Sequence, residues 1–83
     1  MRAHHQLGDE FPGLAPIIER LAKDNYEFGR LATAYDEVNR EIQRIESEER
    51  LIADEVLEKL KKRRVLLRDD IALLLDRERR RVL

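Results

Sequence analysis

After Gly29 the chain contains neither glycine nor proline as far as Leu83. Sheet proteins draw on those two residues at their turns, so a stretch this long without them favours helix throughout. Apolar side chains inside it recur at helical spacing. Phe28, Leu31, Tyr35, Val38, Ile42 and Ile45 are separated by alternating steps of three and four. That spacing lines one face of a helix and has the a/d form of a coiled-coil seam. A helix of about 22 residues carrying it would be about 33 Å long at 1.5 Å per residue.

Beyond Ile45 the register fails. Its continuation falls on Glu49, Ile52, Val56 and Lys59, and Ser47-Glu48-Glu49-Arg50 is wholly polar. Asp54 can cap a new helix, and a fresh register follows through Leu57, Leu60, Arg64, Leu67, Ile71 and Leu74. The pattern predicts an all-α fold, an antiparallel helical hairpin turning within residues 47–53. One unbroken helix with a discontinuous seam is the alternative. Acid-before-base pairs four residues apart, such as Asp36 with Arg40, Glu55 with Lys59 and Asp76 with Arg80, agree with helix on both sides of the turn.

Upstream, residues 1–10 are polar and lack a period, which reads as a flexible N-terminal arm. Phe11-Pro12-Gly13 reads as a turn, and Pro16 suits the first turn of a short helix whose apolar face is Leu14, Ile17, Ile18 and Leu21. Asp24, with Glu27 three residues on, matches a capping box and marks the next helix start. Residues 11–83 therefore form a single domain, with helices expected at about 14–23, 24–46 and 54–81.

A lone two-helix hairpin buries only one seam, too little apolar surface to stabilise a chain of 83 residues easily. The second helix has apolar residues to spare. Leu66 and Leu73 repeat at a seven-residue interval beside its seam, and Leu75 widens the stripe. Leu57, Leu60, Leu66, Leu67, Ile71, Leu73, Leu74 and Leu75 are accordingly expected to meet a partner. The first expectation is a homo-oligomer, dimer or tetramer, with a helical partner protein as the other occupant. Phe28, Leu31, Tyr35, Val38, Ile42 and Ile45 form the hairpin seam.

Charge sets further bounds. The chain has 17 Lys plus Arg and 18 Asp plus Glu, but they are unevenly placed. Residues 1–56 hold 7 basic and 13 acidic side chains, net −6; residues 57–83 hold 10 and 5, net +5. An antiparallel hairpin would set the basic run against acids of the first helix such as Asp36, Glu37, Glu41 and Glu46. The run itself, Lys59, Lys61, Lys62, Arg63 and Arg64, with Arg68 a turn further on, is also the one candidate polyanion contact. Those bases bracket Leu60 on two sides of a helix instead of forming one stripe, so rim charges that fix register are favoured over nucleic-acid binding.

Chemistry-bearing patterns are sparse. There is no cysteine, one serine, and no glycine-rich phosphate loop. His4 and His5 are adjacent, so on a helix they diverge by about 100° and do not chelate as an i,i+4 pair would. Adjacent carboxylates such as Asp69-Asp70 lack the cleft that general acid–base work requires. No catalytic residue, metal site or cofactor is expected, and the chain is read as a non-enzyme. No apolar run reaches the length of a bilayer span and no signal-peptide pattern opens the chain, so no membrane association is expected.

The spacing Asp24…Phe28…Leu31…Tyr35…Val38…Ile42…Ile45-Glu46, followed by Leu60-Lys61-Lys62-x-Arg64-x-x-Leu67-x-Asp69-Asp70-Ile71, resembles the YdcH-like family of small bacterial proteins, a domain of unknown function. Phe11-Pro12 and the short apolar helix after it resemble that family's usual beginning. The likeness covers about residues 11–75, and the Leu-Lys-Lys-x-Arg block before an acidic pair is its most distinctive part. Val65, Arg68 and Asp70 depart from the pattern, where Leu, Lys and Glu are more usual. The resemblance implies a bacterial, cytoplasmic helical hairpin and brings no catalytic residue or ligand with it.

Overall fold

The structure, a computed structural model, describes residues 4–47 and 54–82. Four helices follow one another: α1 His5–Glu10, α2 Ala15–Asp24, α3 Tyr26–Ser47 and α4 Asp54–Val82, with no strand among the described residues. The α3 and α4 helices pack antiparallel. Glu46 meets Lys61 and Asn39 meets Arg64, so positions fall along one helix as they rise along the other. The chain is therefore a hairpin and not one long helix. The reversal falls between Ser47 and Asp54, outside the described residues.

The molecule measures 48 × 25 × 21 Å, its length set by α4, whose 29 residues span about 43 Å. Its radius of gyration is 14.0 Å, against about 12 Å for a compact chain of this size. The two ends are built differently. Toward the N-terminus of α3, the α2 helix packs on the hairpin and makes a three-helix end, where Arg20 reaches Glu78 of α4 at 2.8 Å. Toward the turn, among the described residues, only α3 and α4 face each other, through Ile42, Ile45 and the half-buried Leu57 and Leu60.

Placement between α2 and α4 gives α3 a wide buried stripe. Phe28, Tyr35, Val38, Ile42 and Ile45 are buried as the spacing predicts, and Leu31 is half-buried against the same core. Ala32 and Asn39 are buried beside them. The narrower stripe of α4 is Leu67, Ile71 and Leu75.

Three local features differ from expectation. The first is the N-terminal segment, read as an arm from its lack of period. Residues His5–Glu10 form a helix with Leu7 fully buried in the common core. One apolar anchor in six residues is too few to show a period, yet it is enough to seat a helical turn. Phe11 N–H donates to the Leu7 carbonyl and Gly13, at φ 83°, makes the reversal into α2. The second is the start of α3. The capping residue is Asn25, whose Oδ1 accepts the Phe28 N–H at 3.0 Å, because α2 continues helically through Asp24 and Asn25 is the first extended residue, at φ −121° and ψ 110°. Asn25 also closes α2, its N–H donating to the Leu21 carbonyl at 2.8 Å. Asn25→Ala is expected to lower stability by about 1 kcal/mol, and Asp24→Ala by much less, as read from paired urea unfolding curves; equal effects would return the cap to Asp24.

The third is the charge pairing across the hairpin. Among the described residues Lys61–Glu46, at 3.9 Å, is the one ion pair joining α3 and α4. Glu41 pairs with Arg44 on its own helix and Asp36 with His4. About 100° per residue puts Glu41 about 100° and Glu37 about 140° around α3 from the buried Ile42. Those two acids face away from α4, so opposite net charge of the two arms does not translate into side-chain pairing.

Candidate functional site

The α4 helix carries most of the residues with a candidate role, and its geometry sorts them. At about 100° per residue, Leu67 and Leu75 lie about 40° to either side of the fully buried Ile71, and all three are buried. Leu74 lies about 60° from Ile71 and is half-buried, so the seam runs through Leu75 instead of the Leu74 that the three–four alternation selects. With Leu57 and Leu60 also against the core, six of the eight residues expected to meet a partner pack within the chain.

Leu66 and Leu73 do not. They sit about 140° and 160° around the helix from Ile71 and are 66% and 62% exposed. Val65 is more than half exposed on a neighbouring flank, and Val56 is exposed nearer the turn. Leu66 and Leu73 make a two-residue apolar line on the outside of α4, bordered by Lys62, Asp69 and Asp70. Val56 and Val65 lie on opposite flanks, about 60° and 120° around the helix from Ile71. Large side chains on α3 contribute little to any such surface, with the exception of the highly exposed Tyr26 at its first turn.

The basic run splits as well. Lys59, Lys62 and Arg63 are exposed and have no ion pair among the described residues. Lys61 meets Glu46. Arg64 turns inward, its Nη1 donating to Asn39 Oδ1 at 3.0 Å, which satisfies a buried amide oxygen at a seam position an apolar residue would otherwise fill. Arg68 lies at the side of α4 where it pairs with Glu10 of α1 and stands over the Phe11 ring, 5.2 Å from its centre. The Glu10 hydrogen bond favours the charged guanidinium and pushes its pKa up.

Between α1 and the hairpin an open groove of about 510 Å³ runs past Gln6, Asp9, Tyr35, Asn39, Arg64 and Arg68. Tyr35 is 5% exposed. Its ring is core, and its hydroxyl has no hydrogen-bond partner among the described residues. Of this group the sequence marked Tyr35 as seam and Arg64 and Arg68 as basic contacts. Asn39 and the α1 residues went unmarked. Asn39 had a signal, since it stands four residues after Tyr35 and three before Ile42, on their face. Glu10 had none, because a pairing 58 residues apart in sequence has no local signature.

His4 Nδ1 pairs with Asp36 and His5 is exposed, so the two histidines do not act together. No group of three or more His, Cys, Asp or Glu among the described residues is placed to hold a metal ion. No helix among them is long and apolar enough to cross a membrane.

An all-α hairpin with a charged outer face and a short helical cap at its open end is the class of protein defined here. The chain belongs to the family described as protein of unknown function (DUF465), whose model matches residues 28–75, from the first turn of α3 to Leu75 of α4. The YdcH-like proteins resembled by the seam and the Leu-Lys-Lys-x-Arg block belong to that family. No curated protein and no solved structure matches the chain.

Proposed function

We propose that the protein is a small non-enzymatic interaction module that associates, with a second copy of itself in the first instance, through the outer face of α4. The observation that carries this reading is the exposure of Leu66 and Leu73, one heptad apart, on the side of α4 turned away from its own core. Scattered exposed leucines are ordinary on a protein surface. Two on one line of a helix supply a contact that a second helix can cover. The accessible surface of 6218 Å² is also larger than the roughly 5,200 Å² typical of a compact monomer of this mass. Elongation accounts for part of that excess, and helix pairing would remove more of it.

Sedimentation equilibrium at micromolar to hundred-micromolar concentration provides the test. The natural chain is expected to sediment as a dimer or larger species, and the Leu66→Glu/Leu73→Glu variant as a monomer of unchanged helical circular dichroism. A natural chain that stays monomeric throughout that range overturns the reading. A second reading, polyanion binding, draws on Lys59, Lys62 and Arg63, which are exposed and without an ion pair among the described residues. Salt-dependent retention on DNA or RNA that these leucine changes leave intact would favour it over self-association.

A further inference from the structure

The α1 helix is held in an unusual way. It has six residues, too few to be helical by itself, so its order comes from the site it occupies. One apolar side chain, Leu7, is fully buried there. The other anchors lie at its ends and are side-chain pairs: His4 with Asp36 of α3, and Glu10 with Arg68 of α4. Both members of the Arg68 pair are more than a third exposed, where an ion pair holds weakly. His4 takes a left-handed backbone, φ 57°, a conformation that residues other than glycine adopt at a cost.

The site is only partly used by its occupant. Arg64 and Arg68 stand one helical turn apart on α4 and both border the groove beside α1, yet α1 supplies a carboxylate to Arg68 alone. The Tyr35 hydroxyl opens on the same groove without a partner among the described residues. We propose that α1 is a releasable latch, and that the groove it borders is a docking site which takes an acidic amphipathic helix in its place. The fitting helix has an apolar residue followed three positions later by a carboxylate, as Leu7 is by Glu10, and a further carboxylate or amide that reaches Arg64 and Tyr35. Arg68 has Glu10 and, at 3.7 Å, Asp69 of its own helix, whereas Arg64 meets only the Asn39 amide among the described residues. Arg64 is therefore the guanidinium that gives the site its preference for a further carboxylate. Arg64 and Arg68 lie at least about 140° around α4 from Leu66 and Leu73. Val65 borders both the groove and that outer face, so the substitutions that test this proposal change neither Val65 nor the two leucines.

The test uses the full chain and, as probe, a fluorescent synthetic peptide of residues 4–14. Against the natural chain the probe competes with a tethered copy of itself and binds weakly. Glu10→Arg in the protein weakens its own latch without touching the core and is expected to raise probe affinity at least tenfold. Adding Arg68→Glu to that variant is expected to remove the gain. Equal affinity of the natural and Glu10→Arg chains, absence of binding to both, or a gain that survives Arg68→Glu would overturn the proposal. Hydrogen exchange of the natural chain is an independent check that does not depend on any variant folding. Amides of α1 should exchange at least tenfold faster than those of α3 around Tyr35, and exchange of both at one rate would mean that the latch does not release.

Discussion

Phe28→Ala is expected to remove about 3–5 kcal/mol of stability. Phe28 is fully buried in the first turn of α3, and its ring belongs to the one cluster that joins α1, α2, α3 and α4 through Leu7, Ile18, Leu21 and Ile71. Truncation leaves a cavity among residues drawn from all four helices, which no single side chain can move to fill. A small domain holds only about 5–15 kcal/mol in total, so the variant is expected to be partly unfolded at room temperature. Leu66→Ala, on the exposed face of α4, should change stability by no more than about 0.5 kcal/mol. Urea unfolding followed by circular dichroism at two protein concentrations measures both, and the concentration series separates core loss from loss of association. A Phe28→Ala chain as stable as the natural one would mean that the four helices do not share this core.

The contrast between those two positions also marks what the sequence disclosed and what it did not. Periodicity reports which side of a helix is apolar, so the α3 seam from Phe28 to Ile45 could be read from spacing alone. Periodicity does not report how many neighbours a helix has. The apolar residues of α4 looked sufficient for an interface between copies, but α2 and α3 together absorb Leu67, Ile71 and Leu75, leaving Leu66 and Leu73 on the outside. The groove residues were harder still. Arg64 was visible as a break in the seam, and its partner Asn39 sits on the same face of α3 as Tyr35 and Ile42. The pairing of Arg68 with Glu10 depends on where a six-residue helix comes to rest, which only tertiary structure decides. Charge sums misled for a related reason: net charge has no direction, and Glu37 and Glu41 point away from the helix they were expected to face.

Gly29→Ala is the other substitution with a large expected effect, and its sign separates local from tertiary reasoning. Helix propensity alone favours alanine over glycine in a helix interior by about 1 kcal/mol, and Gly29 lies inside α3. The neighbouring α2 reverses the expectation. A Cβ placed on Gly29 would stand 2.8 Å from the backbone carbonyl oxygen of Ala22, closer than carbon and oxygen can approach. A backbone carbonyl fixed in α2 cannot swing aside as a side chain could, so the helix itself must move away from α3. Overpacking of this kind costs about 1–3 kcal/mol, more than the propensity gain over most of that range. A lowered melting temperature is therefore expected. Ala22→Gly should give no rescue, because it removes a methyl group and leaves the obstructing oxygen in place. If Gly29→Ala melts higher than the natural chain, α2 does not sit against α3 at that distance, and the three-helix end that carries Phe28, Leu7 and the α1 latch would have to be rebuilt around a looser α2.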